Sequence, residues 1–90
     1  MAQILESGTP INTATSAAIS NVPGTLLGFY VNSTGGGTVV VGNGITSAAT
    51  ALSGTITPVI GFHRFPAYCT TGCYITIGGT INITAFFSAG

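Results

Sequence analysis

Charge is what this sequence has least of. Its 90 residues hold one arginine, Arg64, and one glutamate, Glu6, with no lysine, aspartate or tryptophan. Charged side chains make up 2% of the chain, against about 25% in an ordinary globular domain. Each gap closes a class of function. Without a basic patch, phosphate neutralisation cannot drive nucleic-acid binding. With one side-chain carboxylate, the carboxylate pair of a glycosidase cannot be assembled. Without aspartate there is no Ser-His-Asp triad, and a Ser-His-Glu version would need Glu6 beside His63, the single histidine. Without lysine, the stretch STGGGT is no phosphate loop. Cys69, Cys73 and His63 fall short of the roughly four ligands that zinc takes. The expectation is a protein that is not an enzyme and uses neither cofactor nor metal.

Long hydrophobic runs are missing as well. The chain is 46% apolar, yet Gly, Pro, Thr or Ser interrupts every apolar run well before the roughly 18 residues of a membrane span. No membrane partner is expected. The opening MAQILESGTP has neither a basic region nor an apolar core and does not read as a signal peptide. Disorder is excluded by the apolar content. A folded chain of this length exposes about 4,800 Å² and buries about 63% of its extended surface, so the core is thin. Net charge normally keeps such a domain dispersed. Its absence points to a surface that is covered rather than wet.

What remains is alternation punctuated by glycine. Residues 1–10 read as an N-terminal arm ended by Gly8 and Pro10, and residues 11–90 as a single β-sandwich domain. Ile11 to Ile19 favours one extended segment. In Thr25 to Asn32, Leu27, Phe29 and Val31 share one face, and Leu26 and Tyr30 the other. A Gly-rich loop, 33–37, leads to a strand over Thr38–Val41 and a turn at Gly42-Asn43-Gly44. Residues 45–53 read as a loop with at most one helical turn. Thr55–Ile60 and Phe62–Thr70 read as strands, with Pro58 and Pro66 restricting both to edges or bulges. Cys73–Ile77 and Ile81–Phe87 read as a hairpin across Gly78-Gly79-Thr80. The sum is an all-β chain with roughly seven short strands and no long helix, the signature of a small sandwich or barrel.

The faces opposite the core carry the candidate interaction residues. In the last two strands these are Tyr74 and Thr76, then Asn82, Thr84 and Phe86. Tyr30, Phe62 and Tyr68 add exposed aromatics, and His63 and Arg64, adjacent on a strand, face opposite ways. Unprotected strands of this kind invite pairing, because charged gatekeepers are missing. A covering subunit is the simplest remedy. Glu6 and Arg64 could form an ion pair within or between subunits. Cys69 and Cys73, flanking Thr-Thr-Gly, have two readings: a disulfide across a tight loop, or two small buried hydrophobes. Asn82-Ile83-Thr84 matches a glycosylation triplet but sits mid-strand. Thr13/Thr15 and Thr55/Thr57 are isolated pairs, too few for an ice-binding rank.

Two stretches carry a resemblance. GTLLGFYVNSTGGGTVVVGNG, residues 24–44, and FPAYCTTGCYITIGGTINITAFF, residues 65–87, resemble small structural proteins of tailed bacteriophages. Gly72-Cys73 stands where that pattern has Gly-Leu, placing a cysteine at a core position. The resemblance implies a small antiparallel β-sandwich, jelly-roll-like, and a capsid cement (decoration) protein, made in the host cytoplasm and located on the capsid surface of the virion. Its implied partner is the major capsid protein, and its implied state a homo-oligomer, with a trimer favoured. In a reducing cytoplasm the two cysteines would begin as thiols. The other reading of the residues is a tail, fibre or head-fibre module that binds host glycans through Tyr30, Phe62, Tyr68 and Tyr74.

Overall fold

The computed structural model describes residues 9–89. They form β1 (Thr9–Thr13), β2 (Ala17–Ser20), β3 (Gly24–Thr34), β4 (Thr38–Asn43), β5 (Thr50–Ala51), β6 (Gly61–Cys69), β7 (Cys73–Gly78) and β8 (Ile81–Ala89). There is no helix among the described residues. Of the expected arm, Thr9 and Pro10 belong to β1, and the rest lies outside the described residues, Glu6 included.

The strands form two antiparallel sheets, a first ordered β1-β8-β3-β6 and a second ordered β2-β7-β4-β5. The two orders run in step. Except from β4 to β5, every link carries the chain from one sheet to the other. That winding is the eight-stranded jelly roll, so the all-β sandwich read from alternation is the fold. The count reaches eight because Ile11–Ile19 is two strands in different sheets, while β5 stands in for the strand expected over Thr55–Ile60. A turn at Thr13 breaks Ile11–Ile19, with the Thr13 hydroxyl donating to the Thr15 carbonyl at 2.7 Å. Such hydroxyls offer the backbone an alternative to ladder pairing.

Alternate residues of both sheets meet in one core. Leu26, Phe29, Val31, Ile83, Ala85 and Phe87 come from the first sheet, and Val39, Val41, Ile75 and Ile19 from the second. Each fully buried Val, Leu, Ile or Phe contributes roughly 1.5–3 kcal/mol. On β3 the inward set is Leu26, Phe29 and Val31, not Leu27, Phe29 and Val31. A bulge between Leu26 and Gly28 shifts the register against both neighbours and turns Leu27 outward.

The expected hairpin over 73–87 is corrected. β7 pairs with β2 and β4, whereas β8 pairs with β1 and β3. Alternation specifies an apolar face but not whether the next strand lies beside it or across the core. Here the Ile faces oppose each other through the core. The link is an arch that turns at Gly79, whose φ of 72° suits glycine. It packs against the β3–β4 arch, where the Gly35 amide donates to the Thr80 carbonyl at 2.8 Å. A Cβ on Gly37 would lie 2.6 Å from that of Ile81.

Two further expectations change. Residues 45–53 form a loop without helix, within the expectation, in which the Ala49 amide donates to the Thr46 carbonyl at 2.9 Å, but they also hold the short strand β5. Thr55–Ile60 is not a strand. It makes a single bridge, Val39–Ile56, after which Pro58 offers no donor to extend it.

All four sheet edges are blunted. β1 has Pro10, while β2 and β5 are four and two residues long. Beyond β5, the Ser53 hydroxyl accepts the Val41 amide at 2.9 Å, and the Leu52 amide donates to the Val41 carbonyl at 2.7 Å. β6, the longest edge strand among the described residues, carries Arg64 and Pro66, as expected of an edge strand. Charge, proline and shortness are the usual guards against edge pairing. The one formally charged side chain among the described residues stands on the edge that most needs it.

Candidate functional site

The outer face of the first sheet gathers the most chemistry. Register places Asn12 beside Thr84, Thr84 beside Tyr30, and Tyr30 beside Phe62, one row across all four strands. The next row is Pro10, Phe86, Gly28 and Arg64. One end of the face is polar, the other aromatic.

The polar end is a bonded cluster. The Asn12 side-chain amide donates to Asn82 Oδ1 at 2.9 Å, to the Ile83 carbonyl at 2.9 Å and to Thr84 Oγ1 at 3.3 Å. From the other side, the Asn32 amide donates to Asn82 Oδ1 at 3.0 Å and Thr84 Oγ1 at 2.9 Å. Two acceptors on β8 thus collect donors from β1 and β3.

The aromatic end is open. Tyr30 is 43% exposed and Phe62 51%. Phe62 meets Phe86 edge to face, with centroids 6.0 Å apart, a favoured aromatic arrangement. Gly28 permits this approach. A Cβ there would lie 2.5 Å from the His63 carbonyl oxygen and 2.9 Å from the Phe62 ring.

The other candidates are dispersed. His63 faces the core rim, its ring stacked on Phe29 at 5.4 Å and its Nε2 2.7 Å from the Val59 carbonyl oxygen. It pins the crossing from β5 to β6. Arg64 points outward, opposite to His63. Tyr68 is exposed at the far end of β6. Tyr74 and Thr76 lie on the outer face of the second sheet, beside Ala18, Gly42 and Val40. The expected single outward face of Tyr74, Thr76, Asn82, Thr84 and Phe86 is therefore corrected: its first two members stand on the opposite side of the molecule from the other three.

Cys69 and Cys73 are not cross-strand partners either. Cys69 ends β6 in the first sheet and Cys73 begins β7 in the second, so the short link between them is an arch. Both are fully buried free thiols, and Cys73 occupies the core position read from the Gly-Leu pattern. They are hydrogen-bonded to each other. Burial pushes the Cys73 thiol up to about 12, helped by the neighbouring Cys69 and by the bond between them. Burial also raises Cys69, partly offset by the bond from Cys73.

Among the described residues, no three His, Cys, Asp or Glu side chains gather, and no pocket opens. Among the described residues no helix is long and apolar enough to cross a membrane. Asn12, Asn32 and Gly28 were not singled out from sequence. Asn12 and Asn82 meet across 70 residues, so only the topology unites them. One signal was present: asparagine is disfavoured in strands, and three of them stand at outward strand positions. Comparisons with family models, with curated proteins and with solved structures find no match.

Proposed function

We propose that this chain is a non-enzymatic virion structural protein. It is a cement protein that binds the outer surface of a capsid lattice as a homo-oligomer, a trimer being favoured. The reading joins the phage resemblance of residues 24–44 and 65–87 to one structural observation. The jelly-roll surface is almost free of charge and exposes isolated aliphatic residues in its connecting loops. Val59 and Ile60 are 71% and 61% exposed at one end, and Val22 and Ile45 are 51% and 46% exposed in loops at the other. Jelly rolls recur in viral shells, although fold alone does not assign function.

Stable obligate interfaces bury about 2,000 Å² or more and are more apolar than ordinary surface. The accessible surface here is 4570 Å², so one such contact shared among neighbours removes a large share of it from water. A protein that binds only the assembled shell stabilises it by RT ln(1 + [L]/Kd) at each site, and the contributions of many sites add. Contacts without charge are weakly screened, so binding is expected to change little with salt.

The test is the copy number of this chain in purified particles, by quantitative mass spectrometry against the major capsid protein. A lattice-wide ratio, on the order of one copy per capsid subunit, is expected from the symmetry of such shells. A few copies per particle would replace the cement role with a tail or fibre role. Absence from the particle would overturn both.

A further inference from the structure

We propose that the outer face of the first sheet, along the row Asn12–Thr84–Tyr30–Phe62, binds an uncharged saccharide. The amide nitrogens of Asn12 and Asn32 are saturated by Asn82 Oδ1, Thr84 Oγ1 and the Ile83 carbonyl. Each amide has two hydrogens and one oxygen to offer. What the cluster still presents is therefore Asn12 Oδ1, the Asn82 amide and Asn32 Oδ1: acceptor, donor, acceptor, on three adjacent strands. None of these three groups bonds another described residue. Their orientation is fixed by the bonds already made, so little order is lost on binding.

That alternation selects a ligand class. A phosphate or carboxylate only accepts, and an ammonium only donates, so each would leave part of the array unmatched. A sugar hydroxyl both donates and accepts. Beside the array stand Tyr30 and Phe62, exposed rings of the kind on which the C–H face of a sugar stacks. Strands lie about 4.8 Å apart, so four strands give a row of about 14 Å, longer than one pyranose ring. The row itself carries no formal charge, which suits a neutral ligand; Arg64 stands one row away.

A dry protein contact fits less well. It would bury the three projecting amide groups, and each left unmatched is costly. The blunted edges also deny a protein partner the strand pairing that would anchor it. The proposal does not rest on the virion role, since the face would bind sugar wherever the protein resides.

The experiment uses the full chain on an array of neutral hexose, N-acetylhexosamine and deoxyhexose oligosaccharides, followed by calorimetry with the strongest binder. Binding is expected, little changed by added salt. Phe62→Ala and Tyr30→Ala should each weaken it about tenfold, with Asn82→Ala also weakening it. Thr76→Ala, on the opposite face, should leave it unchanged. Circular dichroism and melting checks establish that each variant folds, and Asn82→Ala keeps the test decisive if an aromatic variant does not. No bound sugar, or binding indifferent to all three substitutions, overturns the proposal. So does a Phe62→Ala variant that changes oligomeric state while no sugar binds, which would make the face a subunit contact.

Discussion

The two outer faces of the sandwich are both poor in charge, with Arg64 at one edge of the first, but differ in what they offer. The second sheet shows Ala18, Val40, Gly42 and Thr76 around a half-buried Tyr74. These are small groups with few directed bonds. The first sheet shows a bonded asparagine cluster that continues into exposed rings. Both satisfy the alternation that specifies a sandwich. Only the first holds more polar order than the fold requires. Lack of charge is thus a property of the whole chain, whereas arranged chemistry belongs to one face.

The largest expected effect removes both faces together. Cys69 and Cys73 sit where the two sheets join at the β6–β7 arch. The ordinary thiol value is 9.0, and in the fold Cys73 is held up to about 12. Below pH 9 the folded and unfolded chains both keep the proton, and the contribution of the buried thiol is complete. Between about 9 and 12 the unfolded chain has lost its proton and the fold has not. Stability therefore falls as pH rises through that window, by on the order of 1 kcal/mol per pH unit. Urea unfolding at stepped pH should show the slope, and Cys73→Ala should flatten it. An unchanged slope in that variant would refute the assignment. The environments of Tyr30 on one face and Tyr74 on the other should be lost in one transition.

A smaller effect separates the faces. Gly28→Ala pushes a methyl into the His63 carbonyl and the Phe62 ring, and overpacking of this sort costs about 1–3 kcal/mol. Gly42→Ala is the matching change in the second sheet. Its methyl meets Ala49 Cβ at 3.0 Å and nothing else closer than 3.4 Å, so a slight shift accommodates it. Thermal melts of the pair should show a large drop for Gly28→Ala and a small one for Gly42→Ala. Equal drops would mean that the first face has no special packing constraint.

These positions also mark what could be read from sequence. Apolar alternation and turn glycines were enough for a small all-β sandwich or barrel, because a buried strand face must repeat every second residue. Pro66 as an edge residue followed from its missing donor. The pairing of strands did not follow. In a jelly roll nearly every consecutive pair crosses the core, and alternation cannot separate an arch from a hairpin. The bulge at Leu27–Gly28 defeated the face assignment for the same reason: one extra residue inverts the alternation. Tyr30 and Phe62 were legible as exposed aromatics. The Asn12–Asn82–Asn32 cluster was not, since three strands distant in sequence must first be set side by side.

The smallest effect tests whether that cluster is more than decoration of a wet face. Asn82→Ala removes an acceptor shared by Asn12 and Asn32. Both amides keep Thr84 Oγ1, and Asn12 keeps the Ile83 carbonyl, so neither is stranded. The loss should be about 1 kcal/mol, the worth of a typical hydrogen bond. Thr76→Ala, at an exposed site with no side-chain bond among the described residues, should cost less than about 0.5 kcal/mol. The pair is measured by urea denaturation at neutral pH. If Asn82→Ala costs no more than Thr76→Ala, the amides are not held by their bonds. The first face would then present mobile groups, like any solvated strand, and its binding chemistry would no longer be preorganised. A clear gap between the two variants means that the face is built as a fixed array, which a flat surface needs if it is to recognise a ligand without a pocket.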